Sequence, residues 1–177
     1  DAIAPTLSSS SPADNAISVA RNSSLTLTFS ESVAPDSGYF TIYKSDGTLF
    51  EQIAATDATR VAYSGSTVTL NPYNDFDPST AYYVNVDRTA VQDLAANHYL
   101  GLTGSTALDF TTAANQAPVN TVPGGQTTAE DTARVFSVGN GNALSVSDAD
   151  ASFLTVTLSV TDGTLTLGAL SGLNFST

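Results

Sequence analysis

Period-two alternation dominates this chain and restricts it to sheet structures. In Ser24-Leu25-Thr26-Leu27-Thr28-Phe29-Ser30, the apolar Leu25, Leu27 and Phe29 fall on one face and small polar residues on the other. Thr67-Val68-Thr69-Leu70 and Tyr82-Tyr83-Val84-Asn85-Val86 repeat the pattern. So do Ala107-Leu108-Asp109-Phe110-Thr111 and Leu154-Thr155-Val156-Thr157-Leu158-Ser159-Val160. Successive side chains of a strand point to opposite faces, so alternation marks a strand with one face in a core and one in water. Thr suits the pleat through its branched Cβ. Turn clusters separate these runs: Ser-Ser-Ser-Ser-Pro at 8–12, Ser45-Asp46-Gly47, Ser64-Gly65, Asn71-Pro72 and Thr161-Asp162-Gly163. No segment sustains a helical period, although 89–97 has room for a turn or two. The expectation is an all-β chain forming an antiparallel sandwich.

A boundary falls at Thr112-Ala113-Ala114-Asn115-Gln116-Ala117-Pro118, after a strand and before a loop containing Pro123-Gly124-Gly125. Residues 1–112 then have the size of an Ig-like sandwich, 113–118 form a linker, and 119–177 form a second, shorter β domain. In that second part the strand at 154–160 and the Asp-Gly hairpin into Thr164-Leu165-Thr166-Leu167 need partner strands. The sequence ends before supplying them, and an incomplete sheet leaves open edges and an uncovered apolar face.

Residues 1–112 resemble the bacterial Ig-like domains of S-layer proteins and large surface adhesins. The match rests on Ser11-Pro12-Ala13-Asp14-Asn15-Ala16, Leu25 to Val33, Thr67-Val68-Thr69-Leu70-Asn71-Pro72, Tyr82 to Val86, Val91-Gln92-Asp93-Leu94-Ala95-Ala96-Asn97 and Phe110-Thr111-Thr112. That family usually has Gly where Ala96 stands. The second part resembles the opening half of cadherin-like repeats of calcium-dependent bacterial adhesins. Here the matching residues are Asn115-Gln116-Ala117-Pro118, Ala129-Glu130-Asp131-Thr132, Val146 to Ala151, and the run from Thr155 to Leu167. The resemblance implies an Ig-like sandwich followed by a partial cadherin-like sandwich, in an extracellular or cell-surface protein.

Composition narrows the chemistry. The 17 acidic residues against 5 basic ones give a net charge of −12. With a pI near 4.1, the chain has no basic patch for nucleic acid or an anionic membrane surface. There is no Cys, hence no disulfide, thiolate metal site or cysteine nucleophile, and a single His excludes a multi-histidine metal centre. The absence of Met implies that residue 1 is not a translation start, so a processed product or a fragment is expected. No apolar run reaches the roughly 18 residues of a membrane span. His98 stands in a loop with no base–nucleophile arrangement beside it. Asp75 and Asp77 could act as a glycosidase pair only in a cleft with aromatic walls, and Trp is absent. A non-catalytic chain is expected.

Calcium suits oxygen-only ligands, which this sequence has in plenty. In a seven-strand Ig-like topology the loop before the sixth strand lies at the pole where the last strand leaves. Asp75 and Asp77 are therefore expected near 113–118. The cadherin-like pattern, a linker Asn followed downstream by Asp-x-Asp, is matched by Asn115, Asp148 and Asp150. The expectation is an interdomain Ca²⁺ site using Asp148, Asp150, Asn115 and Glu130, with Asp75 or Asp77. A second acidic group, Glu31, Asp36 and Asp93 with Asn97 and Asp1, should gather at the opposite pole. Tyr39, Tyr43, Tyr73, Tyr82, Tyr83 and Tyr99 could include a sugar-stacking platform, but on the strand 82–86 one of the two adjacent tyrosines should face the core, and one could form a tyrosine corner. Asn22-Ser23-Ser24 and Asn174-Phe175-Ser176 match the glycosylation acceptor pattern. Expected partners are neighbouring domains of the same protein or identical subunits, or a cell-surface glycan or protein. In the last case the chain would be a ligand-binding adhesin module. A further alternative is a filament subunit exchanging strands through the incomplete second domain.

Overall fold

The structure, a computed structural model, describes residues 2–151 and 153–168. The chain divides into two compact units, residues 1–117 and 118–177. In the first unit one sheet takes four strands in the order β1 (Leu7–Ser11), β3 (Leu25–Phe29), β8 (Thr67–Leu70) and β7 (Val61–Ser64). A second sheet takes five, in the order β2 (Ala16–Val19), β11 (Asp109–Thr112), β9 (Ala81–Val86), β5 (Tyr39–Lys44) and β6 (Leu49–Ala54). A small pair, β4 (Val33–Pro35) with β10 (Val91–Asp93), completes the unit.

The alternation does what it promised. Leu25, Leu27 and Phe29 of β3 and Val68 and Leu70 of β8 are buried. They share one core with Phe40 and Ile42 of β5, Tyr82, Val84 and Val86 of β9, and Phe110 of β11. Each such side chain contributes about 1.5–3 kcal/mol by leaving water. The opposite face of the four-stranded sheet is a ladder of hydroxyls, with Thr26 opposite Thr69, Thr28 opposite Thr67, and Ser9 and Ser11 opposite Thr28 and Thr26. Gly47 turns the β5–β6 hairpin at φ +86°, in the left-handed region that a side chain disfavours.

Four features depart from the sequence expectation. Ser8–Ser11 form strand β1 instead of a turn, because β3 supplies a ladder for their backbone groups. Tertiary pairing here outweighs the turn preference of serine. The 89–97 stretch holds no helical turn; Val91–Asp93 pair with β4, and a tight reversal follows. The sandwich is not wholly antiparallel, since β2 lies parallel to β11, with Phe110 opposite Ala16 and Thr112 opposite Val19. A register irregularity separates those two pairs, and Ser18 within it has φ +56°.

The fourth departure is in the second unit. There β12 (Val119–Thr121) pairs with β13 (Ser145–Ser147), while 154–160 and 164–167 form no strand. Alternation alone makes no ladder without a neighbour, and Leu154, Val156, Leu158 and Val160 remain exposed. Among the described residues, the buried group of this unit is polar. Asn142 donates through Nδ2 to the Gln126 Oε1 and Val135 carbonyl oxygens at 3.2 and 3.1 Å, and accepts from the Ser137 N–H at 3.0 Å.

Candidate functional site

The loop 71–80 between β8 and β9 forms much of the pole from which the linker departs. Its centre is Phe76, whose ring is buried against Phe50, Tyr82 and Phe110 at centroid distances of 5.1, 4.8 and 5.2 Å. Arg21, just after β2, grips the Phe76 peptide from both sides. The Phe76 N–H donates to the Arg21 carbonyl at 2.8 Å, and Arg21 Nε donates to the Phe76 carbonyl at 2.9 Å. One residue on, the Asp77 N–H donates to the Tyr82 hydroxyl at 2.8 Å. The Asp77 carbonyl accepts from Thr112 Oγ1 at 2.6 Å. Tyr82 is thus the core-facing tyrosine of the adjacent pair, and its hydroxyl reaches back along the chain as a tyrosine corner does.

Ser79 N donates to the Ala113 carbonyl at 3.0 Å, so Asp75 and Asp77 do sit at the linker pole, as topology predicted. Cations already attend two of the three candidate ligands there. Lys44 Nζ lies 2.7 Å from Asp77 Oδ2, and that hydrogen bond and its charge raise the lysine pKa. Arg21 Nη1 donates to Asn115 Oδ1 at 3.4 Å. Asp75 is exposed and forms no ion pair with either cation; with Asn71 and Asn74 it lines a polar cup of about 110 Å³ beside Arg21 and Ser23. Ser24 Oγ donates to Asn71 Oδ1 at 2.7 Å, so the hydroxyl of the Asn22-Ser23-Ser24 triplet is engaged.

At the opposite, leading pole, Asp93 is 3% exposed and accepts from the N–H groups of Ala95 and Asn97 and from Asn97 Nδ2, each at 2.7–2.8 Å. The Asn97 side chain, then the backbone donors of Asn97 and Ala95, outweigh burial and hold its pKa below the ordinary carboxylate value. Asp36 Oδ2 faces His98 Nδ1 at 3.1 Å. Glu31, Ser32 and Asp93 border a cavity of about 260 Å³ with Leu94 and Ala95. The acidic group is therefore split into a capped carboxylate, a histidine-paired one and Glu31. Asp1, also expected here, and Asn174 of the other acceptor triplet lie outside the described residues.

In the second unit, Asp148 Oδ1 accepts from the N–H groups of Asp150 and Ala151 at 3.0 Å each, which bends the Asp-x-Asp loop into a tight turn. The Glu130 carbonyl accepts from Thr132 Oγ1 at 3.3 Å. Among the described residues, no three of the His, Asp and Glu side chains gather as a metal site. The tyrosines divide by face. Tyr99 packs edge-on against Phe29 at 5.3 Å, Tyr43 and Tyr83 stack at 5.1 Å on the outer side of the five-stranded sheet, and Tyr39 and Tyr73 are exposed.

Arg21 and Lys44 escaped the sequence reading. The partners of Arg21 lie 55 and 94 residues away, and no local spacing encodes such a contact. The one sequence signal that could have singled them out is the scarcity of cations, five in the whole chain against 17 acidic residues.

A family model described as a bacterial Ig-like domain matches residues 1–112. No curated protein matches the chain. Among solved structures, the crystal structure of CopC from Methylosinus trichosporium OB3b is similar at 18% identity and a TM-score of 0.45, covering 64% of this chain and 97% of that one. The S-layer protein rSbsC(31-844) is similar at 18% identity and a TM-score of 0.42. That match covers 83% of this chain, which spans 18% of the S-layer chain. No helix among the described residues is long and apolar enough to cross a membrane.

Proposed function

The chain belongs to the bacterial Ig-like domain family through residues 1–112, and from that membership we propose a non-catalytic, extracellular spacer module of a bacterial surface adhesin, S-layer or filament. The observation that carries this reading is the placement of the first unit's two ends. Thr6 is hydrogen-bonded to Ser30 at the leading pole, while Ala113 is bonded to Val19 and Ser79 at the linker pole. A unit entered at one end and left at the other adds its own length to an array. Two copies of residues 1–117 joined in series should nearly double the longest dimension measured by small-angle scattering. Copies that fold back to a compact pair would overturn the spacer reading.

Calcium is proposed as the stiffener between successive units, through Asp148, Asp150 and Glu130. The order of Asn115, Glu130 and the Asp-x-Asp turn supports it, as does the need to offset a net charge of −12. In the first unit Lys44 and Arg21 stand where a calcium ligand shell would need Asp77 and Asn115, so these two fit poorly. Asp75 is the carboxylate of that pole suited to the ion. Melting and protease resistance should rise with calcium and fall with chelator; identical melts would remove calcium from the proposal. Self-assembly through the second unit is the other reading, favoured by the exposed alternating run from Leu154 to Val160. Light scattering at high concentration decides it, since a monomer with and without calcium rules it out.

A further inference from the structure

Two neighbouring strands of the first unit are attached to opposite ends of the chain's path. β1 begins beside the end of β3, where Ser30 N donates to the Thr6 carbonyl at 2.9 Å. It runs toward the linker pole, as does β2, whose last residue Val19 lies opposite Thr112. β11 runs the same way and leaves directly into the linker. Tension along the chain therefore draws β1 and β2 toward the leading pole and β11 toward the linker pole. Because β2 and β11 are parallel neighbours, this force acts along both strands in opposite senses. Every bond between them is stretched sideways at once, and all must fail together.

The contacts across this pair are fastened at both ends. At the leading side Asp14 Oδ1 accepts from the Asp109 N–H at 3.1 Å, and the Asn15 N–H donates to the Asp109 carbonyl at 2.8 Å. At the linker side the Ala113 N–H donates to the Val19 carbonyl at 2.8 Å. Just beyond, Arg21 joins Asn115 to the peptide of the buried Phe76. The longer antiparallel ladder of β5 with β9 and β6 lies outside this line of force. Pulled apart across the sheet, it would open one rung at a time.

We propose that the first unit is a force-bearing element, and that its resistance to tension resides in the parallel β2–β11 pair, with Asp14 as a positioning residue at its leading end. This rests on the spacer reading, which supplies the tension.

The absence of Cys lets introduced cysteines define where force is applied in the full chain. Ala4→Cys with Ala117→Cys loads β2 against β11 lengthwise. Ser45→Cys with Ala117→Cys loads the five-stranded sheet crosswise from the linker pole, because the Ser45 N–H is bonded to the Ala81 carbonyl. Forced unfolding reports the barrier to unfolding, so the lengthwise pair should rupture at about twice the force of the crosswise pair or more. Asp14→Ala should lower the lengthwise force and leave the crosswise force unchanged. Equal forces in the two geometries overturn the proposal, as does an Asp14→Ala variant, folded by circular dichroism, that changes neither force or both alike. If that variant fails to fold, the comparison of geometries decides alone. Scattering from the tandem copies still reports on the spacer reading whichever way the forces fall.

Discussion

Asp93 keeps its charge inside a ring of donors, and its depressed pKa ties stability to pH. The stabilisation is complete above the ordinary Asp value of about 3.9 and is lost as pH falls through the lower, folded value. Asp93→Asn should therefore flatten the fall of Tm below about pH 4, measured by calorimetry against the parent chain. A fall of equal steepness would show that other carboxylates govern acid unfolding. Three residues on in the same reversal, Ala96 adopts φ +66°, where its Cβ crowds the following carbonyl. Relief of that strain should let Ala96→Gly gain about 1 kcal/mol by denaturant titration, despite the added freedom of the unfolded chain. The resemblance to a family with Gly at this position pointed to a tight turn, but Ala96 departs from it and the sequence left room for a helical turn over 89–97, so the reversal was only partly legible. The burial of Asp93 was not legible, because the donors that offset it become apparent only once the loop closes.

Among the elements, the loop 71–80 behaves as structure although it has no ladder of its own. Arg21, Tyr82 and Thr112 take up its backbone groups around Phe76. Phe76→Ala should cost about 3–5 kcal/mol and raise hydrogen exchange at Asp77 and Ser79. A loss near that of an exposed site would mean the ring is not the anchor. Strands with strict alternation, β3, β8 and β9, could be read from sequence because one residue type per face fixes their register. β1 could not, since four consecutive serines carry no face preference and only β3 defines their register. The parallel edge β2–β11 was equally hidden. Its four-residue strand has Ile17 exposed and an irregular middle, so nothing local gives its direction. At the candidate site, Asp75 and Asp77 lie at the linker pole, but the sequence reading missed the two cations that meet Asp77 and Asn115, for both come from distant parts of the chain.

At the scale of the molecule, the two units differ in what holds them. The first has a continuous apolar core; the second turns on the buried amide of Asn142, with Phe153 90% exposed. Removing residues 118–177 should leave the melting transition of the first unit unchanged, monitored by near-ultraviolet dichroism of its tyrosines. A drop of several degrees would show that the second unit supports the first.

The hydroxyl ladder of β1, β3 and β8 has a consequence for crowding. Ser and Thr place no charge on that flank, and the carboxylates of the unit lie mainly in its loops. Salt therefore has little to screen across that flank itself, while the acidic loops at the poles remain open to screening. Such a flank presents the same wetted face in fresh water and in brine.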